Sequence, residues 1–116
     1  MIDEKKVHYV AATCIVVKDG KFLVTKRSAT KRRFANRWTV PGGKLESDDY
    51  VGLPKETKDY WYNVLENVLR REVKEEVGID IKNIEYVTSL ATVHENGAPS
   101  LVISCVADWE SGEVKL

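Results

Sequence analysis

The chain has 116 residues, which suits one domain, residues 1–116, with one modest hydrophobic core. Charged residues make up 31% and cancel to a net charge of zero, which argues against a nonspecific nucleic-acid binder and a disordered acidic tail. No apolar run approaches the roughly 18 residues of a membrane span, and the N-terminus lacks a signal-peptide core. Cys14 and Cys105 lie in apolar runs without CxxC spacing, so we expect reduced core cysteines in a cytoplasmic protein.

The N-terminal part of the chain predicts a β-hairpin. Residues 7–17 are apolar on both faces, which suits a central strand. Asp19 and Gly20 form a tight-turn pair, and residues 22–26 return as the second strand.

A strongly basic stretch follows the hairpin, and residues 27–36 are predicted to form a loop. Its basic side chains could bind an anionic ligand, or they could simply be solvated. Arg27 is the better candidate because it leaves a strand, and Arg37 ends the stretch. A short strand at 38–40 then leads into the next motif.

That motif is a proline followed by two glycines, Pro41, Gly42 and Gly43. Glycines allow the backbone to approach a ligand closely, and their carbonyls can serve a hard cation. The plainer interpretation is an ordinary loop with a tight turn. The tripeptide becomes informative because an acidic helix follows it.

A long helix is predicted over residues 59–77. Thr57 or Asp59 is a suitable N-terminal cap, and Gly78 ends the helix where a left-handed residue is wanted.

The acidic residues of this helix fall on an unexpected face. At about 100° per residue, Glu72, Glu75 and Glu76 share a face with the preceding apolar residues rather than with the polar ones. Those apolar residues are Trp61, Val64, Leu65, Val68 and Leu69. Three neighbouring carboxylates repel one another, and partly buried ones are costly unless compensated. A bound divalent cation is the simplest compensation, so this helix is predicted to bind metal.

Two strands complete the chain, at residues 85–93 and 101–107, joined through Asn96 and Gly97. The order β-β-β-α-β-β indicates a mixed sheet with a helix packed against it. The sequence therefore predicts an α/β or α+β layered domain.

Residues 41–46 (PGGKLE) and 71–79 (REVKEEVGI) resemble the Nudix box, Gx5Ex7REUxEExGU, in which U is apolar. The second half of the pattern matches without a mismatch, and the resemblance covers nearly the whole chain. It implies an α/β/α sandwich around a mixed sheet. It also implies hydrolysis of a nucleoside diphosphate linked to another moiety, at a pyrophosphate bond, with Mg²⁺ or Mn²⁺.

This chain departs from the pattern in three ways. Gly43 and Arg71 are 28 positions apart where the pattern has 14, so 14 extra residues intervene around 48–62. The first glutamate of the box is absent at its helical register, where Asn63 stands. The chain ends at Leu116, where relatives usually continue with a strand and a helix, so we expect C-terminal elements to be missing.

The resemblance also implies roles for individual residues. Glu72, Glu75 and Glu76 would be the metal carboxylates, together with the carbonyl of Gly42, and Arg71 would orient a glutamate. A general base must take a proton from the attacking water. Glu113 is the candidate, and Glu76 and Glu72 are its rivals.

Arg27, Arg37 and Lys44 are the expected substrate-binding residues, and the expected partner is a small nucleotide-type molecule, with homodimerisation possible. Two other classes remain open. A catalytically silent Nudix-like nucleotide-binding module is disfavoured because the glutamates are intact. A structural metal-binding protein is disfavoured by the glycine pair and the basic strand end.

Overall fold

The structure is a computed structural model that describes residues 2–26 and 38–114. Arg27 and Arg37 lie outside the described residues, so their substrate-binding roles stay predictions. Seven strands and one α-helix are described. They are β1 (Tyr9–Lys18), β2 (Lys21–Leu23), β3 (Thr25–Lys26), β4 (Trp38–Thr39), β5 (Gly42–Lys44), α1 (Val64–Val77), β6 (Asp80–Val93) and β7 (Pro99–Ser111).

The main sheet is mixed, as the sequence predicted. Its strand order is β2-β1-β7-β6, and β5 pairs with β1 beside β2. The two central strands, β1 and β7, run parallel, whereas the other pairings of this sheet are antiparallel. Strands β3 and β4 form a separate two-stranded ladder. The predicted α/β class is therefore confirmed.

The predicted hairpin turn is also confirmed. Asp19 and Gly20 have φ values of 52° and 76°, and the strands on either side pair from Lys18 and Lys21. Two consecutive residues with positive φ match the twist of a tight hairpin, which explains why this dipeptide was informative.

The helix begins later than predicted. It starts at Val64 rather than near residue 59, and the expected caps Thr57 and Asp59 lie outside it. Thr57 instead accepts a hydrogen bond from the Tyr60 N–H to its Oγ1 at 3.1 Å. Asn63, with φ 56°, interrupts right-handed helical backbone at this point. The predicted C-terminal end is confirmed, because Gly78 has φ 80° and its N–H bonds to the Lys74 carbonyl.

The core lies between α1 and one face of the sheet. The helix contributes Val68, Leu69, Val73 and Val77. The sheet side contributes Ala12, Cys14, Val16, Ile79, Ile81, Cys105 and Ala107. A second helical layer on the opposite face is not found among residues 2–26 and 38–114. Within the same residues, no helix is long and apolar enough to cross a membrane.

The two cysteines are unpaired and buried, as predicted, and they are direct neighbours across β1 and β7. Burial raises the pKa of the Cys14 thiol to about 12, and the neighbouring Cys105 adds to this shift. Because the thiolate is the reactive form, we expect Cys14 to react very slowly with a disulfide reagent at pH 8. Both thiols should react rapidly once a denaturant is added. A Cys14 that reacts rapidly in the folded protein would contradict this buried position.

Candidate active site

The site forms where β5 meets α1. Gly42 and Gly43, expected in a loop, belong to β5 and pair with Thr13 and Ala12 of β1. A Cβ atom at Gly43 would lie 2.6 Å from Cδ of Glu72, so the strand touches that carboxylate directly. Gly43 therefore permits a close strand–helix contact that a larger residue would crowd, whereas Gly42 lies against the backbone of β1.

The three glutamates take different positions around this contact. Glu72 is half-buried, with 20% of its side chain exposed, and packs on Gly43. Glu76 accepts a long hydrogen bond from the Gly42 N–H to its Oε2, at 3.4 Å. Glu75 is 61% exposed and Glu76 is exposed as well, so of the three glutamates only Glu72 is partly buried as the helical phase predicted. Glu72 and Glu76 are the two that face the glycine strand.

Arg71 lies among these carboxylates. Its Nη2 donates to Glu72 Oε1 at 2.9 Å, and its Nε lies 3.7 Å from Glu75 Oε1. A planar guanidinium can hold several oxygens in fixed directions, which suits the orienting role implied for this residue.

Asp49 is a part of the site that the sequence interpretation missed. Its carboxylate is 7% exposed, pairs with Arg71 Nη1 and accepts the Glu46 N–H at 2.7 Å. It ends the short 3-10 helix Ser47–Asp49. The hydrogen bond from Arg71 holds the pKa of Asp49 below its usual value.

A signal for Asp49 was present in the sequence. The Gx5E spacing, counted from Gly43, falls on Asp49. Counting back along the helix from Arg71 leads to Asn63 instead, because the extra residues follow Asp49 rather than precede it. Arg71 therefore pairs with an acidic residue, Asp49, that has the Gx5E spacing from Gly43. The 14 extra residues between Asp49 and Arg71 do not prevent this pairing.

Replacing Asp49 with asparagine should remove the charge opposite Arg71 while keeping the side-chain volume. We expect about a 10- to 100-fold loss in metal affinity or kcat/KM, typical of a residue that orients a ligand without binding metal itself. Calorimetric titration with Mn²⁺ and steady-state kinetics measure the two quantities. Asp48→Asn is the matched control, because Asp48 is exposed on the same 3-10 helix. Equal values for the two variants would remove Asp49 from the site.

The donor set fits a hard divalent cation. Glu72, Glu75, Glu76 and the Gly42 carbonyl offer only oxygen ligands, which Mg²⁺ and Mn²⁺ accept. Across residues 2–26 and 38–114, no three histidine, cysteine or acidic side chains converge as a metal-holding group. Arg71 occupies the space beside Glu72 and Glu75 instead. The metal is therefore assigned to these residues because they offer oxygen ligands close together, and not because they form a complete coordination shell.

Lys44 and Glu113, the other predicted site residues that the structure describes, lie outside the contact between Glu72, Glu76 and the glycines. Lys44 is exposed, and its Nζ lies 5.0 Å from the Tyr9 ring centroid. Glu113 is exposed and follows Gly112, whose Cβ position would be 2.9 Å from the Gly78 carbonyl. Glu113 thus follows a residue that lies beside Gly78, at the C-terminal end of α1. Gly78 is about 9 Å along the helix axis from Glu72.

The inserted segment has internal structure of its own. Trp61 donates from Nε1 to the Leu53 carbonyl at 2.7 Å, and its ring centroid lies 5.1 Å from that of Tyr50. The prediction that Trp61 lies on the apolar face of the helix is therefore wrong, because Trp61 precedes α1 and packs inside the insertion. The segment connects to the site through Asp49, which immediately precedes Tyr50.

Together these features define an α/β domain in which helix carboxylates meet a glycine strand, a site suited to metal-assisted hydrolysis. Comparison with known families identifies it further. The sequence model described as NUDIX domain matches residues 7–114, and the chain belongs to this family. The enzyme class predicted from the sequence, a NUDIX pyrophosphohydrolase, is confirmed. Hydrolases of this family generally use divalent metal ions.

Individual relatives agree with this assignment. The chain is 28% identical over 111 residues to an 8-oxo-dGTP diphosphatase from Proteus vulgaris, covering 96% of this chain and 85% of that protein. The structure of a MutT NUDIX hydrolase from Burkholderia pseudomallei matches with a TM-score of 0.72 and 24% identity, and the match covers 96% of this chain and 74% of that chain. The NUDIX domain of Shewanella oneidensis NrtR, solved with ADP ribose, matches with a TM-score of 0.67 and 18% identity, and the match covers 99% of this chain and 70% of that chain. The two structural matches establish the fold.

Proposed function

We propose that this enzyme hydrolyses a pyrophosphate bond in a nucleoside diphosphate linked to another moiety, such as a nucleoside triphosphate or a nucleotide sugar. The observation that carries the proposal is the contact of Glu72 and Glu76 with the Gly42–Gly43 strand. The Proteus relative supports the nucleotide part of it, since its name describes a diphosphatase of a nucleoside triphosphate.

In this proposal Glu72, Glu75, Glu76 and the Gly42 carbonyl hold Mg²⁺ or Mn²⁺. Such an ion, when bound, neutralises diphosphate oxygens and lowers the pKa of a bound water. Arg71 holds Glu72 and Glu75 in place through its guanidinium, and Asp49 holds Arg71. Lys44 supplies a positive charge one residue beyond the glycines, where it can meet a phosphate.

A carboxylate must accept the proton from the attacking water. Glu113 is one candidate, and Glu76 and Glu72 are the others, which lie on the glycine strand. If Glu113 is the base, Glu113→Gln should lower kcat by roughly 10²–10⁴-fold and leave metal affinity nearly intact. Single-turnover kinetics at saturating Mg²⁺ measure the chemical step. An unchanged rate would assign the base to a helix glutamate.

The experiment that tests the whole proposal is a substrate panel. Nucleoside triphosphates, nucleotide sugars, ADP ribose and dinucleoside polyphosphates are each incubated with the protein and Mg²⁺, and the products are separated by chromatography. Cleavage at a pyrophosphate bond in any of them supports the proposal and names the substrate class. Tight binding without product would favour the silent nucleotide-binding module. The cytoplasmic location and homodimerisation stay predictions.

A further inference from the structure

An exposed aromatic ring lies close to the glycine strand. Ala11 pairs with Lys44 across β1 and β5, so Tyr9, two residues before Ala11, is the diagonal neighbour of Lys44. Both side chains project from the sheet face opposite α1, because Ala12 and Cys14 alternate with them and face the helix. Tyr9 is 51% exposed, and the Lys44 Nζ lies 5.0 Å from its ring centroid.

Tyr9 is held at its backbone and at one contact of its ring. The ring of His94 meets it edge-on, with centroids 5.8 Å apart and an interplanar angle of 84°. The Ser100 hydroxyl donates to the Tyr9 carbonyl at 3.4 Å, and the two residues are partners in the β1–β7 ladder. An aromatic ring held in this way loses little conformational freedom when a flat molecule packs on it. It is therefore a prepared stacking surface.

We propose that Tyr9 is the residue on which the nucleobase of the substrate stacks. The proposal rests on the proposed hydrolysis of a nucleoside diphosphate derivative, and it adds a residue that recognises the base. Every nucleobase has a flat π-face, and stacking on an aromatic side chain is a general way to bind one. The adjacent lysine adds the positive charge that the phosphates of the same molecule require.

Lys44 lies over the Tyr9 ring and must move away before a nucleobase can stack there. An ammonium over an exposed tyrosine ring is held only weakly, so a nucleobase can displace it. The displaced Lys44 stays on the face of Tyr9, on the strand β5 that the ligand passes, so it can meet the phosphates of the same molecule. Occupation of Tyr9 by the base thus frees a cation for the phosphates that lie between the base and the carboxylates.

The spacing agrees with one molecule contacting both places. Tyr9 and Ala12, the β1 partner of Gly43, are three residues apart, or about 10 Å along an extended strand. A ribose and a diphosphate bridge such a distance. Among the described strands β5 pairs only with β1, so a ligand can pass from the Tyr9 face round the free edge of β5 to the carboxylates.

The test compares a substrate that has a base with an inhibitor that lacks one. Tyr9→Leu removes the ring, Tyr9→Phe keeps it, and Tyr86→Leu is the matched control on β6, where Tyr86 is 65% exposed. With Mg²⁺ and the best nucleotide of the panel, Tyr9→Leu should raise KM roughly 5- to 100-fold, whereas kcat should change little. The inhibition constant of inorganic tripolyphosphate should be unchanged in all three variants. Tyr9→Phe and Tyr86→Leu should retain the wild-type KM.

Two results would overturn the proposal. An unchanged KM in Tyr9→Leu would place the base elsewhere, and an equal weakening of nucleotide and tripolyphosphate would show a general disturbance of the site. If the wild type cleaves nothing, calorimetry with ADP and inorganic diphosphate separates the two proposals. If Tyr9→Leu binds ADP more weakly than the wild type but binds diphosphate equally well, the stacking site is supported although the proposed hydrolysis has failed. Equal binding of ADP by both proteins would reject the stacking site.

Discussion

Replacing Glu76 with glutamine is expected to lower kcat/KM by roughly 10²–10⁴-fold while leaving the fold intact. Glutamine keeps the size of the side chain and its ability to accept the Gly42 N–H at Oε. It removes the negative charge that a divalent cation requires from its ligand. Mn²⁺ titration by calorimetry should show weaker binding, and circular dichroism should show an unchanged melting temperature.

The control for this prediction is the same substitution on the same helix. Glu66 lies in the first turn of α1, ten residues before Glu76, and its charge acts on Cys105 rather than on the glycine strand. Glu66→Gln should therefore keep wild-type activity and metal affinity. If Glu76→Gln binds Mn²⁺ as tightly as the control does, Glu76 is not a ligand, and the assignment returns to Glu72 and Glu75.

Some of the molecule could be predicted from the sequence because the signals are local. The turn at Asp19–Gly20 and the helix end at Gly78 both depend on residues that tolerate positive φ. The buried positions of α1 recur with helical spacing, so the placement of Val68 and Leu69 followed from periodicity alone, whereas the buried Val73 and Val77 were not among the predicted residues. The acidic run after them indicated the proposed metal-binding part of the helix.

Other features depend on contacts between distant parts of the chain, which periodicity does not register. Gly42 and Gly43 form a strand only because β1 supplies hydrogen-bond partners some 30 residues earlier. The start of α1 was placed too early because residues 59–62 continue the helical pattern, whereas their hydrogen bonds lie within the insertion. Tertiary contacts outweighed local propensity in both places.

Asp49 shows a third kind of failure. Its spacing from Gly43 was readable, but its partner Arg71 lies 22 positions further on, across an insertion of unknown path. A carboxylate on one element and a guanidinium on another cannot be paired from the sequence unless the fold between them is known. The pairing becomes clear only when β5, the 3-10 helix and α1 are placed together.

The largest effect on stability is expected from Gly42→Ala. A Cβ atom at this position would lie 2.2 Å from the Ala12 carbonyl oxygen and 2.8 Å from Cα of Thr13. Both atoms belong to the backbone of β1, which is paired on both sides and cannot move away. Overpacking against backbone should cost about 3 kcal/mol or more, and the melting temperature should fall by roughly 10–20 °C. Thermal denaturation followed by circular dichroism measures this fall.

The neighbouring glycine should respond differently, which makes the pair informative. At Gly43 the added Cβ meets the Glu72 side chain, which can rotate away, so Gly43→Ala should remain nearly as stable as the wild type but lose activity. Gly52→Ala is the control, because nothing lies within 4 Å of its Cβ position. Loss of stability at Gly42, loss of activity at Gly43 and neither at Gly52 would verify that β5 joins the sheet through one glycine and the catalytic helix through the next. If Gly42→Ala had the same melting temperature as Gly52→Ala, the described packing of β5 on β1 would be wrong.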